Sequence, residues 1–453
     1  MHLFAARRMG HMKRKAYDEL LAWKSGKTRQ ALLVTGARQV GKTYIVREFG
    51  RTEYEQLIEF NLALEDATRE SFLSARNPED LLLRISIAAH GPLIPGKTLI
   101  FIDEIQHCPN IITFIKALVD QGTYDYVLSG SLLGVELENI RSYPVGYMTE
   151  LLMFPMDFEE FCWSMGLTEQ AFDVLRNSLQ EEQPVPDYLH ERMSGLFHRY
   201  LLTGGMPDAV SAFIRDRTID NVRRIQSDIR RFYNRDITQY APKDRRLVIQ
   251  EIYQLIPSEL NNSTRRFKIG DISDVKRFSQ IEDEFLWLSR ANVALPVYNV
   301  EEPRSPLLAS KRRKLLKLFY SDVGLLTSTY DKQSTLGILD GLGAEGRMNY
   351  GGVYENVIAQ ELTAHGFTPY YFTSKSMGEL DFLIEDAAGK VLVLEIKSGS
   401  RFHSHAALDK ALNTPGYAID SAYVLAETNV ERDGKILYLP VYMASLLQRP
   451  RLV

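Results

Sequence analysis

Cysteine is nearly absent from this 453-residue sequence, which contains only Cys108 and Cys162. Two isolated thiols exclude a disulfide framework and a cysteine-based zinc site, and they suit a reducing compartment, so the cytoplasm is the expected location. Long apolar runs are also missing. No stretch approaches the ~20 residues that cross a bilayer, so no membrane association is expected. Met1 to Lys15 is basic but lacks the apolar core of a secretory signal. Charge of one sign is lacking as well: the net charge of -4 means that any nucleic-acid surface must be local. Internal repeats and low-complexity tracts do not occur. What remains is an ordinary globular composition, 45% hydrophobic and 25% charged, which excludes a largely disordered chain. The length predicts roughly two to four domains.

The most informative stretch is Gly36-Ala37-Arg38-Gln39-Val40-Gly41-Lys42-Thr43, which fits the phosphate-loop pattern G-x-x-x-x-G-K-[ST] at every fixed position. Ala31 to Thr35 before it reads as a buried strand, and Tyr44 to Phe49 after it has helical spacing. This is the context the motif needs. Glycine lets backbone N–H groups turn inward around an anion, Lys42 reaches the outer phosphates of ATP, and the Thr43 hydroxyl is placed to ligate Mg²⁺ at a helix N-terminus.

A second motif strengthens the first. Thr98 to Glu104 is an apolar strand run ending in two acids, the Walker B pattern, in which Asp103 holds the magnesium and Glu104 polarises the attacking water. Pro109 to Val119 reads as a helix and Tyr124 to Leu128 as a further strand, ending in Ser129-Gly130-Ser131. Alternating strands and helices imply a parallel sheet with the nucleotide at the carboxyl ends of its strands.

The phosphate loop, Phe101 to Gln106, Leu128 to Ser131 and Phe154-Pro155-Met156-Asp157-Phe158-Glu159-Glu160-Phe161 together resemble a widespread family of bacterial and archaeal AAA-superfamily ATP-binding proteins. The resemblance extends over nearly the whole chain, through Gly204 to Pro207, Asp322 to Leu326 and Glu395 to Gly399. It implies an ATPase in which Ser129 or Ser131 is the first sensor facing the γ-phosphate. A plain Ser-Gly turn is the alternative for either serine taken singly. Where relatives often carry Arg or Lys after a Gly, this chain has Gly146-Tyr147. Arg141 is the nearby substitute for a finger acting on a neighbouring subunit, which leaves an oligomer open.

Between the ATPase and the terminal region the chain reads as helical, with a long Arg-rich helix over Ile219 to Tyr240. From Arg223 to Lys317 there are 20 basic residues against 12 acidic ones. Leu247 to Ile256 and two helices within Asp271 to Ser289 precede two strands, Ala294 to Val300 and Leu315 to Tyr320. A basic loop with Arg304, Lys311, Arg312, Arg313 and Lys314 joins these strands. Helices followed by a β-ribbon suggest a winged helix-turn-helix that binds DNA or contacts protein.

The last region predicts a helix over Val353 to His365 and strands over Pro369 to Thr373, Glu379 to Ile384 and Val391 to Lys397. It resembles the restriction-endonuclease-like fold, with an acid, a spaced Asp and then Glu-x-Lys supplied by Glu355, Asp381, Glu395 and Lys397. In that reading the three carboxylates gather divalent metal and Lys397 orients water or neutralises developing charge. The same fold also serves as a binding scaffold that cuts nothing.

The expected architecture is therefore α/β throughout. An AAA-type ATPase with a parallel sheet spans 1–165, a helical lid 166–240, a winged-helix-like domain 241–340 and a restriction-endonuclease-like domain 341–453. The expected function is ATP binding and hydrolysis coupled to DNA binding or cleavage. The alternative is a nucleotide-dependent switch whose terminal domains bind protein partners.

Overall fold

The computed structural model describes residues 12–26, 29–131, 144, 146–272, 277–339, 350–399, 401–417 and 419–449. They form two compact units, residues 13–154 with 290–292, and the remainder.

In the first unit, α1 (Lys15–Ser25) precedes β1 (Ala31–Thr35), α2 (Lys42–Glu53) and β2 (Gln56–Asn61). Then come α3 (Asp66–Leu73), α4 (Pro78–Ala88), β3 (Thr98–Asp103), α5 (Asn110–Gln121), β4 (Asp125–Ser129) and β5 (Met148–Leu152). The sheet order is β2-β3-β4-β1-β5 and every pairing is parallel. Strands β1 and β3 are apolar at consecutive positions because both of their faces are covered, as in parallel sheets generally. Ile111, Ile112 and Ile115 of α5 pack with Ile100, Ile102 and Leu128 in one core. Because β4 lies between β1 and β3, the loop after β1 and the ends of β3 and β4 meet at the carboxyl end of the sheet. Both cysteines are buried and free.

The second unit begins with α6 (Phe158–Ser164), α7 (Glu169–Glu181), α8 (Asp187–Thr203), α9 (Pro207–Asp216) and α10 (Ile219–Tyr240). Along α10, Val222, Gln226, Ile229, Tyr233 and Ile237 form the buried stripe, at the spacing of one helix face. Next are α11 (Arg246–Asn261), α12 (Glu282–Arg290), β6 (Ala294–Val300), β7 (Lys311–Tyr320), α13 (Val323–Thr327), α14 (Lys332–Leu339) and α15 (Tyr350–Ala364). The chain continues through β8 (Tyr370–Ser374), β9 (Gly378–Glu385), β10 (Val391–Ile396), α16 (Ala406–Leu412), β11 (Ala422–Ala426), β12 (Glu431–Asp433) and β13 (Ile436–Pro440).

The separate winged helix is corrected here. Strands β6 and β7 are the end of one eight-stranded sheet, order β12-β13-β11-β10-β9-β8-β6-β7, in which β6 pairs in parallel with β8. The ribbon is thus continuous with the terminal domain. Asp271 to Ser289 supplies one α-helix, α12, and a 3₁₀ turn at Phe278–Gln280 among its described residues, so the expected helix pair does not form there. Side-chain periodicity reveals a hairpin but does not say which third strand it joins.

Helix α15 is buried almost all round, so its polar side chains need partners. Asn356 accepts from Tyr320 N at 2.9 Å and donates to Tyr320 O at 3.0 Å. Gln360 accepts from Val323 N at 2.8 Å, and Glu361 accepts from Phe158 N at 3.0 Å and from the Tyr200 hydroxyl at 3.1 Å. Asp322 accepts from Gly205 N at 2.6 Å and from Leu325 N at 3.1 Å. Burial pushes its carboxyl up to about 6 against those N–H donors. The blocks Met156 to Phe158, Gly204 to Pro207 and Asp322 to Leu326 therefore meet in one packed, hydrogen-bonded knot.

Candidate functional site

The phosphate loop curls because three of its residues take positive φ: Gly36 at 134°, Gln39 at 68° and Gly41 at 97°. A Cβ on Gly36 would lie 2.2 Å from the Met153 carbonyl oxygen, so only glycine fits there. Arg14 braces the loop from α1, donating to Val40 O at 2.9 Å and Phe154 O at 2.7 Å. Nothing in the local pattern around Arg14 marked it.

Lys42 opens α2 and is buried, its Nζ donating to Gly36 O at 3.0 Å, Ala37 O at 2.8 Å and Ser131 Oγ at 3.4 Å. Thr43 donates to Asp103 Oδ2 at 2.7 Å, and Ser129 donates to Asp103 Oδ1. Asn61, at the end of β2, adds Nδ2 at 3.3 Å from Asp103 Oδ2. Sequence reasoning missed Asn61, although it ends the strand beside the acidic one. The residues expected from three distant motifs, Lys42, Thr43, Asp103, Ser129 and Ser131, thus converge.

Glu104 follows β3 in a left-handed turn at φ 56° and accepts from Gln106 Nε2 at 2.6 Å. Its own N–H donates to Asp103 Oδ1 at 3.1 Å. The constellation fits ATP with Mg²⁺: Thr43 and Asp103 are an adjacent hydroxyl and carboxylate, hard oxygen donors of the kind Mg²⁺ takes. Loop N–H groups and Lys42 provide for phosphate. When bound, the metal neutralises phosphate charge. The protein's own contribution is to position Glu104 beside the acid strand and exclude other arrangements of the loop. Arg141 lies outside the described residues, and Tyr147 packs at the edge of the core with Lys116 Nζ 4.9 Å from its ring centre.

In the terminal domain, Asp381 on β9 accepts from Ile396 N at 2.8 Å, and Lys397 donates to Glu395 Oε1 at 2.8 Å. Burial, then the charges of Glu395 and Glu355, push the Asp381 carboxyl well above the usual range. Burial raises Glu395 too, with Lys397 opposing. The expected three-carboxylate metal centre is nevertheless corrected. Glu355 is fully buried and both of its oxygens are engaged, Oε1 by Arg265 and Oε2 by Lys317 Nζ at 2.9 Å. Among the described residues no three His, Cys, Asp or Glu side chains are spaced to share a metal ion. The residues do not fit that centre, and no cutting step is derived through it. His405 binds the Tyr438 hydroxyl at 2.7 Å and Asp409 at 2.9 Å, serving the loop before α16.

Residues 28–162 match the family described as AAA domain. The parallel sheet and the phosphate loop both lie within that match, so this part of the chain is an AAA-type domain. Residues 194–336 and 350–442 match two domains of unknown function, DUF8612 and DUF4143. No curated protein matches the chain. Among solved structures, the Aeropyrum pernix Orc1 protein in complex with DNA is 14% identical, covering 74% of this chain and 92% of that one at a TM-score of 0.28. Cdc6p from Pyrobaculum aerophilum is 12% identical over 74% and 95% at 0.26, and Pif1 helicase from Candida albicans 15% over 40% and 46% at 0.24. At these scores the superpositions carry no argument. No helix among the described residues is long and apolar enough to cross a membrane.

Proposed function

We propose that the protein binds ATP with Mg²⁺ and hydrolyses it, with Glu104 as general base, and that this cycle gates engagement of DNA by the carboxy-terminal unit. The observation that carries the ATPase reading is the convergence on Asp103 of Thr43 and Ser129 from two separate motifs, at the carboxyl end of the sheet. Lys42→Ala is expected to weaken ATP binding at least 100-fold, since it removes the cation held inside the loop. Titration with a fluorescent ATP analogue checks this, and near-wild-type affinity would refute the assignment.

The DNA reading draws on the basic excess between Arg223 and Lys317 and on the exposed Arg313 and Lys314 at the start of β7. A second reading, with a protein partner in place of DNA, is favoured by the pairing of the hairpin's cations. Arg304 pairs with Glu302 at 3.0 Å, Arg312 with Glu301 at 3.2 Å and Arg313 with Glu282 at 3.6 Å, while Lys311 stands 3.6 Å from the Tyr298 ring centre. Binding to a duplex probe across a salt series separates the two. A steep decline, log affinity falling with a slope of about -0.9 per neutralised phosphate, supports DNA. No binding at low salt supports the protein partner.

A further inference from the structure

Lys317 has no part in the ATPase reading, and its setting is unusual. It lies on β7 within the apolar run Leu315 to Tyr320 and has no exposed surface. A buried ammonium is tolerated only when it is paired and hydrogen-bonded. Its Nζ is 2.9 Å from Glu355 Oε2 and 2.8 Å from Glu379 Oε1, and 5.2 Å from the centre of the Tyr371 ring. Arg265 takes the other oxygen of Glu355. Arg266 takes the other oxygen of Glu379 at 3.2 Å and also donates to Thr373 at 3.0 Å. With Asp381 and the Lys397–Glu395 pair alongside, four carboxylates face four cations supplied by the chain itself.

We propose that the Lys317 ammonium, seconded by Arg265, is the resident cation of this carboxylate cluster and stands where a divalent metal would otherwise sit, so the terminal domain is assembled and works without metal. The reason is steric and electrostatic. A metal on Glu355 Oε2 at ~2.1 Å would lie within about 5 Å of the ammonium held by the same oxygen. Two cations at that range around a fully buried carboxylate are poorly screened. Lys317 is also held in place, because Leu316 to Tyr320 pair residue by residue with β6 and every one of them is buried. The cluster instead ties β7, β9, α15 and the segment after α11 together, with Lys317 as the shared donor. This inference concerns the terminal domain alone and does not depend on ATP turnover.

Mn²⁺ binding to the nucleotide-free full-length chain, counted by electron paramagnetic resonance, tests it. Wild type and Asp381→Asn are expected to bind the same number of Mn²⁺ ions per chain. Lys317→Met is expected to gain one bound Mn²⁺, which the double variant Lys317→Met/Asp381→Asn loses again. One fewer Mn²⁺ in Asp381→Asn than in wild type would overturn the proposal, as would a folded Lys317→Met chain that gains none. If Lys317→Met does not fold, the comparison of wild type with Asp381→Asn decides alone. ATP hydrolysis by wild type in the same preparation tests the ATPase reading separately, so either reading can fail without the other.

Discussion

Glu104→Gln is expected to lower ATP turnover by ~10²–10⁴-fold, the range general-base catalysis supplies, while ATP binding stays within a few-fold of wild type. The substitution keeps size and shape, and the amide oxygen can still accept from Gln106 Nε2, a contact of 2.6 Å in the wild type. The amide cannot accept the proton of an attacking water. Asp103 keeps its contacts with Thr43 and Ser129, which do not depend on the Glu104 side chain. Phosphate release at saturating ATP measures the turnover, and analogue titration the binding. Turnover within threefold of wild type would remove Glu104 from the role of base. Loss of binding together with turnover would mean that the turn after β3 had collapsed.

Gly205→Ala is expected to destabilise the carboxy-terminal unit by roughly 3 kcal/mol, at the upper end of overpacking costs. A Cβ on Gly205 would lie 1.9 Å from the Met156 carbonyl oxygen and 2.6 Å from its nitrogen, both backbone atoms that no rotamer change can move aside. The glycine is there for close approach: Met156 N donates to Gly205 O at 2.8 Å while Gly205 N donates to Asp322 at 2.6 Å. The contrast is Gly195, inside α8, where an added Cβ meets only the Arg199 guanidinium at 3.7 Å. Gly195→Ala is expected to stabilise by ~0.5–1 kcal/mol through helix propensity. Urea denaturation of both variants checks the pair. Equal effects would show that the approach at Gly205 is not tight.

Local chemistry made much of the nucleotide site legible in advance. A phosphate loop needs its glycines, lysine and threonine within eight residues, and an acid-ended strand needs an apolar run, so both leave contiguous marks. Asn61 and Arg14 left none, since each reaches the site from another element by long-range contacts alone. In the terminal domain the order Glu355, Asp381, Glu395, Lys397 was readable. Their chemistry was not readable. Lys317 was visible only as one more base in a basic stretch, although a lysine inside the apolar run Leu315 to Tyr320 is the kind of residue that needs a buried acid. The basic excess misled in the same way: Arg245, Arg265 and Arg266 are bound to Glu284, Glu355 and Glu379.

By itself, then, the sequence determined most of the elements and the phosphate loop, because backbone geometry and loop shape depend on residues close together in the chain. Tertiary structure alone decided that β6 and β7 extend the terminal sheet, since strand pairing is a choice among distant partners of similar pattern. It also decided which charges meet. Burial removes water as the competing partner, so a carboxylate's role is set by the cation packed against it. For Glu355 those cations are Lys317, 38 residues away, and Arg265, 90 residues away.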